Sequence, residues 1–185
     1  METEIPEDIF KNNFEENCFG QTVLHFVVRM GKLELTCNII QKGGKINKLD
    51  HFDNTPLSLA CIEKPNKDIV EVLLRAGANV HFERHFHMDL FLECVMYCTS
   101  SEQLEIINLL LEKGINVNVT DSIWNRNCIH LVAISGYKPL ATILLSHGAI
   151  LHIKDNLNYT PTELASIHGN IELLELFSSY SETPE

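Results

Sequence analysis

Two kinds of apolar run alternate along this chain of 185 residues. One follows a hydroxyl or amide residue: Thr22-Val23-Leu24-His25, Thr55-Pro56-Leu57-Ser58, Asn127-Cys128-Ile129-His130, and Thr160-Pro161-Thr162-Glu163-Leu164-Ala165. The other closes on a glycine: Ile39-Ile40-Gln41-Lys42-Gly43, Leu73-Leu74-Arg75-Ala76-Gly77, Leu110-Leu111-Glu112-Lys113-Gly114, and Leu144-Leu145-Ser146-His147-Gly148. The first kind predicts helix starts. Thr22, Thr55 and Thr160 can accept hydrogen bonds from first-turn amides. Pro56 and Pro161 stand at the first helical position, where a missing N–H costs nothing. Thr160 with Glu163 has capping-box spacing. The second kind predicts helix ends. Leu33–Ile40 and Ile69–Leu74 carry apolar residues at helical spacing, and the glycines supply a left-handed stop. The polar stretches between, such as residues 48–54, predict turns.

Thr22 and Thr55 stand 33 residues apart, as do Asn127 and Thr160. With the glycine frame in register between them, the chain resembles the ankyrin-repeat family, whose unit is a β-turn and two helices with a Thr-Pro-Leu-His signature. The resemblance covers residues 17–180. It implies an all-α ankyrin-repeat solenoid of about five helix-turn-helix repeats joined by β-turn loops, over residues 17–49, 50–82, 83–121, 122–154 and 155–182 of a 17–185 domain. Residues 1–16 are expected to form an N-terminal capping helix, opened by Pro6-Glu7-Asp8 with Ile9, Phe10 and Phe14 on one face. Ile171–Tyr180, with Glu172, Glu175 and Ser178, is the expected cap at the other end. The third repeat is irregular. Met88-Asp89-Leu90 stands where Thr-Pro-Leu belongs, and Gly77 to Gly114 is three residues longer than Gly114 to Gly148. The extra length is expected at Tyr97–Ser101, with Ser100 and Gln103 capping the next helix. A smaller insertion is expected at Glu63–Asn66.

Charge narrows the partners. The net charge is −11. Residues 1–16 hold six acids against Lys11, and no lysine or arginine follows Lys154. Such a surface repels phosphate backbones, which argues against nucleic acid, and it suits a protein partner with a basic surface. No run approaches the ~20 apolar residues that span a membrane, and the acidic start is unlike a secretory signal. The expectation is a soluble intracellular protein, cytoplasmic or nuclear and monomeric, whose six scattered cysteines stay reduced.

Candidate chemistry is sparse. The resemblance gives His25 and His130 a role in hydrogen bonds between repeats. His81, His85, His87, Cys94 and Cys98 are of zinc-binding types, but cysteines four apart on such a helix read as core and the histidines as solvated loop. No metal or cofactor is expected. No GxSxG, phosphate loop, HExxH or kinase motif occurs, so no enzyme is expected. The surface remains. Counting three residues back from each helix-opening residue gives Phe19, Phe52, His85, Trp124 and Leu157. Apolar and aromatic loop tips are typical binding anchors. Arg84 and Arg126 flank this run as candidates to pair with partner acids, and Arg29 and Met30 extend it. The expected function is a non-catalytic protein-interaction module, an inhibitor or scaffold. In size and architecture it is similar to cytoplasmic inhibitors of NF-κB and short viral ankyrin proteins, although residues 1–16 contain no serine for a phosphorylation-dependent degradation signal. A substrate-recruiting adaptor of a ubiquitin-ligase-type complex is the alternative. It needs a docking domain beside the repeats, and only Ser181–Glu185 follow the last expected helix.

Overall fold

The computed structural model describes residues 16–81 and 89–181. Among these residues the regular structure is helical, with an isolated antiparallel bridge between Thr120 and Asn127. The helices come in five pairs: α1 Val23–Arg29 with α2 Leu33–Gln41, α3 Pro56–Ser58 with α4 Lys67–Arg75, α5 Leu90–Met96 with α6 Ser101–Glu112, α7 Cys128–Ser135 with α8 Lys138–Ser146, and α9 Pro161–Ile167 with α10 Ile171–Ser181. The fold class is the expected one, all-α and built of repeated helix pairs. The expected N-terminal capping helix lies outside the described residues.

Contacts divide the chain into two compact units, Met1–Val80 and His81–Glu185. In the first, α1 packs on α2 and α3, and α2 on α4. In the second, α5, α7 and α9 pack in succession as one row of helices, and α6, α8 and α10 as another. Val27, Val28, Ile39, Leu57, Ile69 and Leu73 form the core of the first unit; Phe91, Leu92, Ile106, Leu110, Ile129, Leu144, Leu173 and Phe177 that of the second. A lone helix of three to twelve residues is marginal in water at best, so these elements owe their stability to this packing.

Helix starts follow the capping chemistry. Oxygens of Thr55, Asn66, Ser100, Asn127 and Thr160 accept first-turn amides. Ser100 and Gln103 close the expected capping box. Gly43, Gly77, Gly114 and Gly148 take the left-handed conformation at the expected stops.

Three local readings are corrected. The cap of α5 is Asp89, which accepts the Phe91 N–H at 2.8 Å, not Met88; a carboxylate outcompetes the thioether one position earlier. Most of the extra length of the third pair lies in α6, which has 12 residues where α2, α4 and α8 have nine, because the Ser100–Gln103 box starts that helix early. The insertion in the second pair is absorbed one turn earlier than expected, where α3 widens into a π-helical turn, Leu59–Glu63. A single extra residue fits such a turn while both flanking helices keep their faces.

Candidate protein-interaction surface

Each described loop is folded around one acid or amide side chain. Asn17 Oδ1 accepts the N–H groups of Phe19 and Gln21, both at 2.9 Å. Asp50 Oδ1 accepts those of Phe52 and Asn54 at 2.9 and 2.8 Å, and its Oδ2 accepts the side-chain amides of Asn54 and Gln21. Asp121 accepts the N–H groups of Ile123, Trp124 and Arg126. Asp155 accepts those of Leu157 and Tyr159 at 2.9 and 3.0 Å. The three aspartates are buried. Burial by itself raises the pKa of Asp50 and Asp155, but amide donors at Asp50, and amides with Arg126 at Asp155, outweigh it and hold both below the usual carboxylate range. The charges hold the loops from inside and leave the tips to apolar side chains.

The residue after each tip is left-handed: Gly20 at φ 70°, Asp53 at 55°, Asn125 at 53° and Asn158 at 68°. Short polar residues and glycine tolerate this turn best. Glycine is required at Gly20 for a second reason, since an added Cβ would sit 2.6 Å from the His51 ring.

The tips stand in solvent: Phe19 is 51% exposed, Phe52 55%, Trp124 47% and Leu157 53%. Sequence counting missed Ile123, which is 53% exposed. Six positions separate Asp121 from Asn127, where five separate Asp50 from Thr55, and the extra residue gives this loop two apolar tips. That spacing was the available signal.

Neighbouring tips are joined within each unit. His51 N–H donates to Phe19 O at 2.9 Å, and the Phe19 and Phe52 rings lie 6.1 Å apart between centroids. In the second unit Asn156 donates from its backbone to Trp124 O and from its side chain to Ile123 O, both at 2.8 Å. The tips are exposed and also laterally braced.

The flanking cations differ from expectation. Arg126 donates through Nε to Asp155 Oδ2 at 2.9 Å, with side chains only 18% and 0% exposed, and its guanidinium lies 5.5 Å from the Trp124 ring. It is committed inside the protein and orients the indole; it is not a free partner for outside acids. Arg29 pairs with Glu63 at 2.9 Å, but both side chains are exposed, so the pair is weak and exchangeable. Met30 is half-buried and its carbonyl accepts from Lys64 Nζ. Arg84 and His85 lie outside the described residues. With the third helix start moved to Asp89, counting three back names Phe86 in place of His85, also outside them.

The two signature histidines join neighbouring helix pairs. His25 Nδ1 accepts the Thr22 N–H at 3.1 Å and Nε2 donates to Asn54 O at 3.1 Å. His130 makes the same reach to Tyr159 O at 3.3 Å. Burial lowers both pKa values and so keeps the rings neutral, as this donor–acceptor pairing requires. Cys94 and Cys98 are buried, and burial pushes the Cys98 thiol up to about 11. No disulfide joins any of the six cysteines.

Helix pairs of one design thus recur along each unit, fastened to their neighbours by histidine and loop-amide hydrogen bonds. The profile described as "Ankyrin repeats (3 copies)" matches residues 5–84 and 95–184, and the chain belongs to this family. Ankyrin repeats generally mediate protein–protein interaction. The chain is 27% identical to the nuclear factor NF-kappa-B p105 subunit of Gallus gallus over 98% of its own length and 18% of that protein. It is 30% identical to the ankyrin repeat and KH domain-containing protein mask-1 of Caenorhabditis elegans, over 88% of this chain and 7% of that protein. It is 27% identical to the putative ankyrin repeat protein YahD of Escherichia coli, over 75% of this chain and 69% of that protein. The chain thus spans less than a fifth of the first two relatives. Among the described residues no helix is long and apolar enough to cross a membrane.

Proposed function

We propose that this chain is a non-catalytic module that binds a protein partner through its loop tips, as an inhibitor or scaffold. The observation carrying this reading is the contrast within each loop: a buried Asp50, Asp121 or Asp155 holds the backbone while Phe52, Ile123, Trp124 or Leu157 stands about half exposed. Large apolar side chains on a backbone already fixed give binding area at low entropic cost. Phe19 is a loop tip of the first unit, and Arg29 with Met30, at the end of α1, are further candidates there. Arg126 acts indirectly, by orienting Trp124, and Arg84 and His85 remain candidates by sequence position.

The test starts from a partner recovered by affinity capture and mass spectrometry. Phe52→Ala and Trp124→Ala should each weaken its binding by about 2 kcal/mol. Each should change unfolding free energy by no more than about 0.5 kcal/mol. A stability loss of about 2 kcal/mol with unchanged affinity would make these rings loop packing and refute the assignment.

A further inference from the structure

The C-terminal ends of α5, α7 and α9 in the second unit carry apolar side chains that neither the core nor the loop tips use. Seven residues after the capping residues Asp89, Asn127 and Thr160 stand Met96, Ile134 and Ile167. Met96 is 43% exposed and Ile167 61%, while Ile134 is half-buried. Tyr97, at 51%, follows Met96 directly, and Ile171, at 68%, stands four residues after Ile167 at the start of α10. Exposed apolar residues scattered singly are ordinary, but these share one position in three successive helices. Packed helices lie about 10 Å apart, so the row is about 20 Å long, the length of a helix of about 14 residues.

Beside this row lies an open depression of about 430 Å³ lined by Gly136, Gly169, Asn170, Ile171, Glu172 and Leu173. Its wall is fixed. Asn170 Nδ2 donates to Ala133 O at 2.8 Å and Ile134 O at 3.3 Å. Gly136, at φ 78°, is pressed so close that an added Cβ would lie 2.6 Å from Asn170 Oδ1. Charge completes the description. After Lys154 the sequence has no lysine or arginine, while Glu172 lines the depression and Glu175 follows on the same helix. Glu172 pairs with Lys138 at 3.5 Å, and this pair is exposed on both sides and readily exchanged. An anionic membrane or nucleic acid is repelled here, and a cationic apolar segment is attracted.

We propose that this edge of the second unit docks a basic amphipathic peptide segment of a protein partner. Its apolar side chains would lie along Met96, Ile134 and Ile167 and enter the depression, and its lysines or arginines would meet Glu172 and Glu175. The inference rests on the interaction-module reading and adds to it a second contact line and the partner's chemistry.

The probe is a phage library of random peptides of about 16 residues, panned on the full chain. Enriched peptides are expected to carry net positive charge with apolar residues three or four apart. Synthetic copies should bind roughly tenfold more weakly to Ile167→Ser or Ile171→Ser, and more weakly as salt rises. Both variants change exposed positions, and unchanged melting curves establish that they fold. Absence of enrichment, enrichment of acidic or uncharged peptides, or equal binding to these variants overturns the proposal. If binding falls with Trp124→Ala but not with the isoleucine variants, the loop-tip reading stands and this one fails; if it falls with neither, both fail.

Discussion

Replacing Asp155 by alanine tests most directly how the loops are built. Its side chain is 0% exposed and yet ionised, held by the amides of Leu157 and Tyr159 and by Arg126 Nε. Removing one partner of a buried ion pair costs about 3–5 kcal/mol. Two features reduce this. The Arg126 side chain keeps 18% exposure, and the two amides lie on an exposed loop that water can reach. The expected loss for Asp155→Ala is therefore about 2–3 kcal/mol of unfolding free energy, measured by urea denaturation. Asp155→Asn keeps an oxygen for both amides but loses the charge, and should cost about 1–2 kcal/mol. The folded carboxyl has a lower pKa than the unfolded one, about 3.9. Its stabilisation is complete above that value and is lost as pH falls through the folded pKa, so wild type and Asp155→Ala should converge in acid. A loss under about 0.5 kcal/mol, or one that persists undiminished in acid, would refute the view that this carboxylate holds the loop.

His25 and His130 have lowered pKa values, so their contribution is complete above the unfolded value of about 6.5 and fades as pH falls below it toward the folded values; the double variant His25→Gln, His130→Gln should lose this segment of the stability–pH curve, and an unchanged curve would refute the neutral latch. Gly20→Ala should cost more than about 1 kcal/mol, combining a strained φ with the clash on His51, and a neutral result in thermal melts would count against that packing. Stoichiometric zinc should leave the melting temperature unchanged; a rise of several degrees that His85→Ala abolishes would establish a metal site.

The helix pairs were legible because capping is local chemistry: Thr55, Asn127 and Thr160 bond amides three residues away, and the glycine stops need one backbone conformation. Where local choices compete, sequence decided less. Asp89 beside Met88 moved a helix start by one residue, and the single insertion of the second pair could enter a turn or a helix before packing placed it at Leu59–Glu63. The tips Phe19, Phe52, Trp124 and Leu157 followed from register alone. The engagement of Arg126 did not, because Asp155 lies 29 residues away and only the fold brings it near. The helix-end row was within reach of the same counting, seven positions forward from each cap, once exposure showed that those residues leave the core.

Trp124 is the only tryptophan in the chain, and it sits half exposed on a tip against a guanidinium anchored by a buried carboxylate. The protein therefore carries its own optical reporter at the position proposed to meet a partner. Covering the indole removes water from one face and should shift its emission to shorter wavelength, while events confined to the first unit should leave that emission unchanged. The emission spectrum would thus separate engagement of the second unit from engagement of the first, with no label attached.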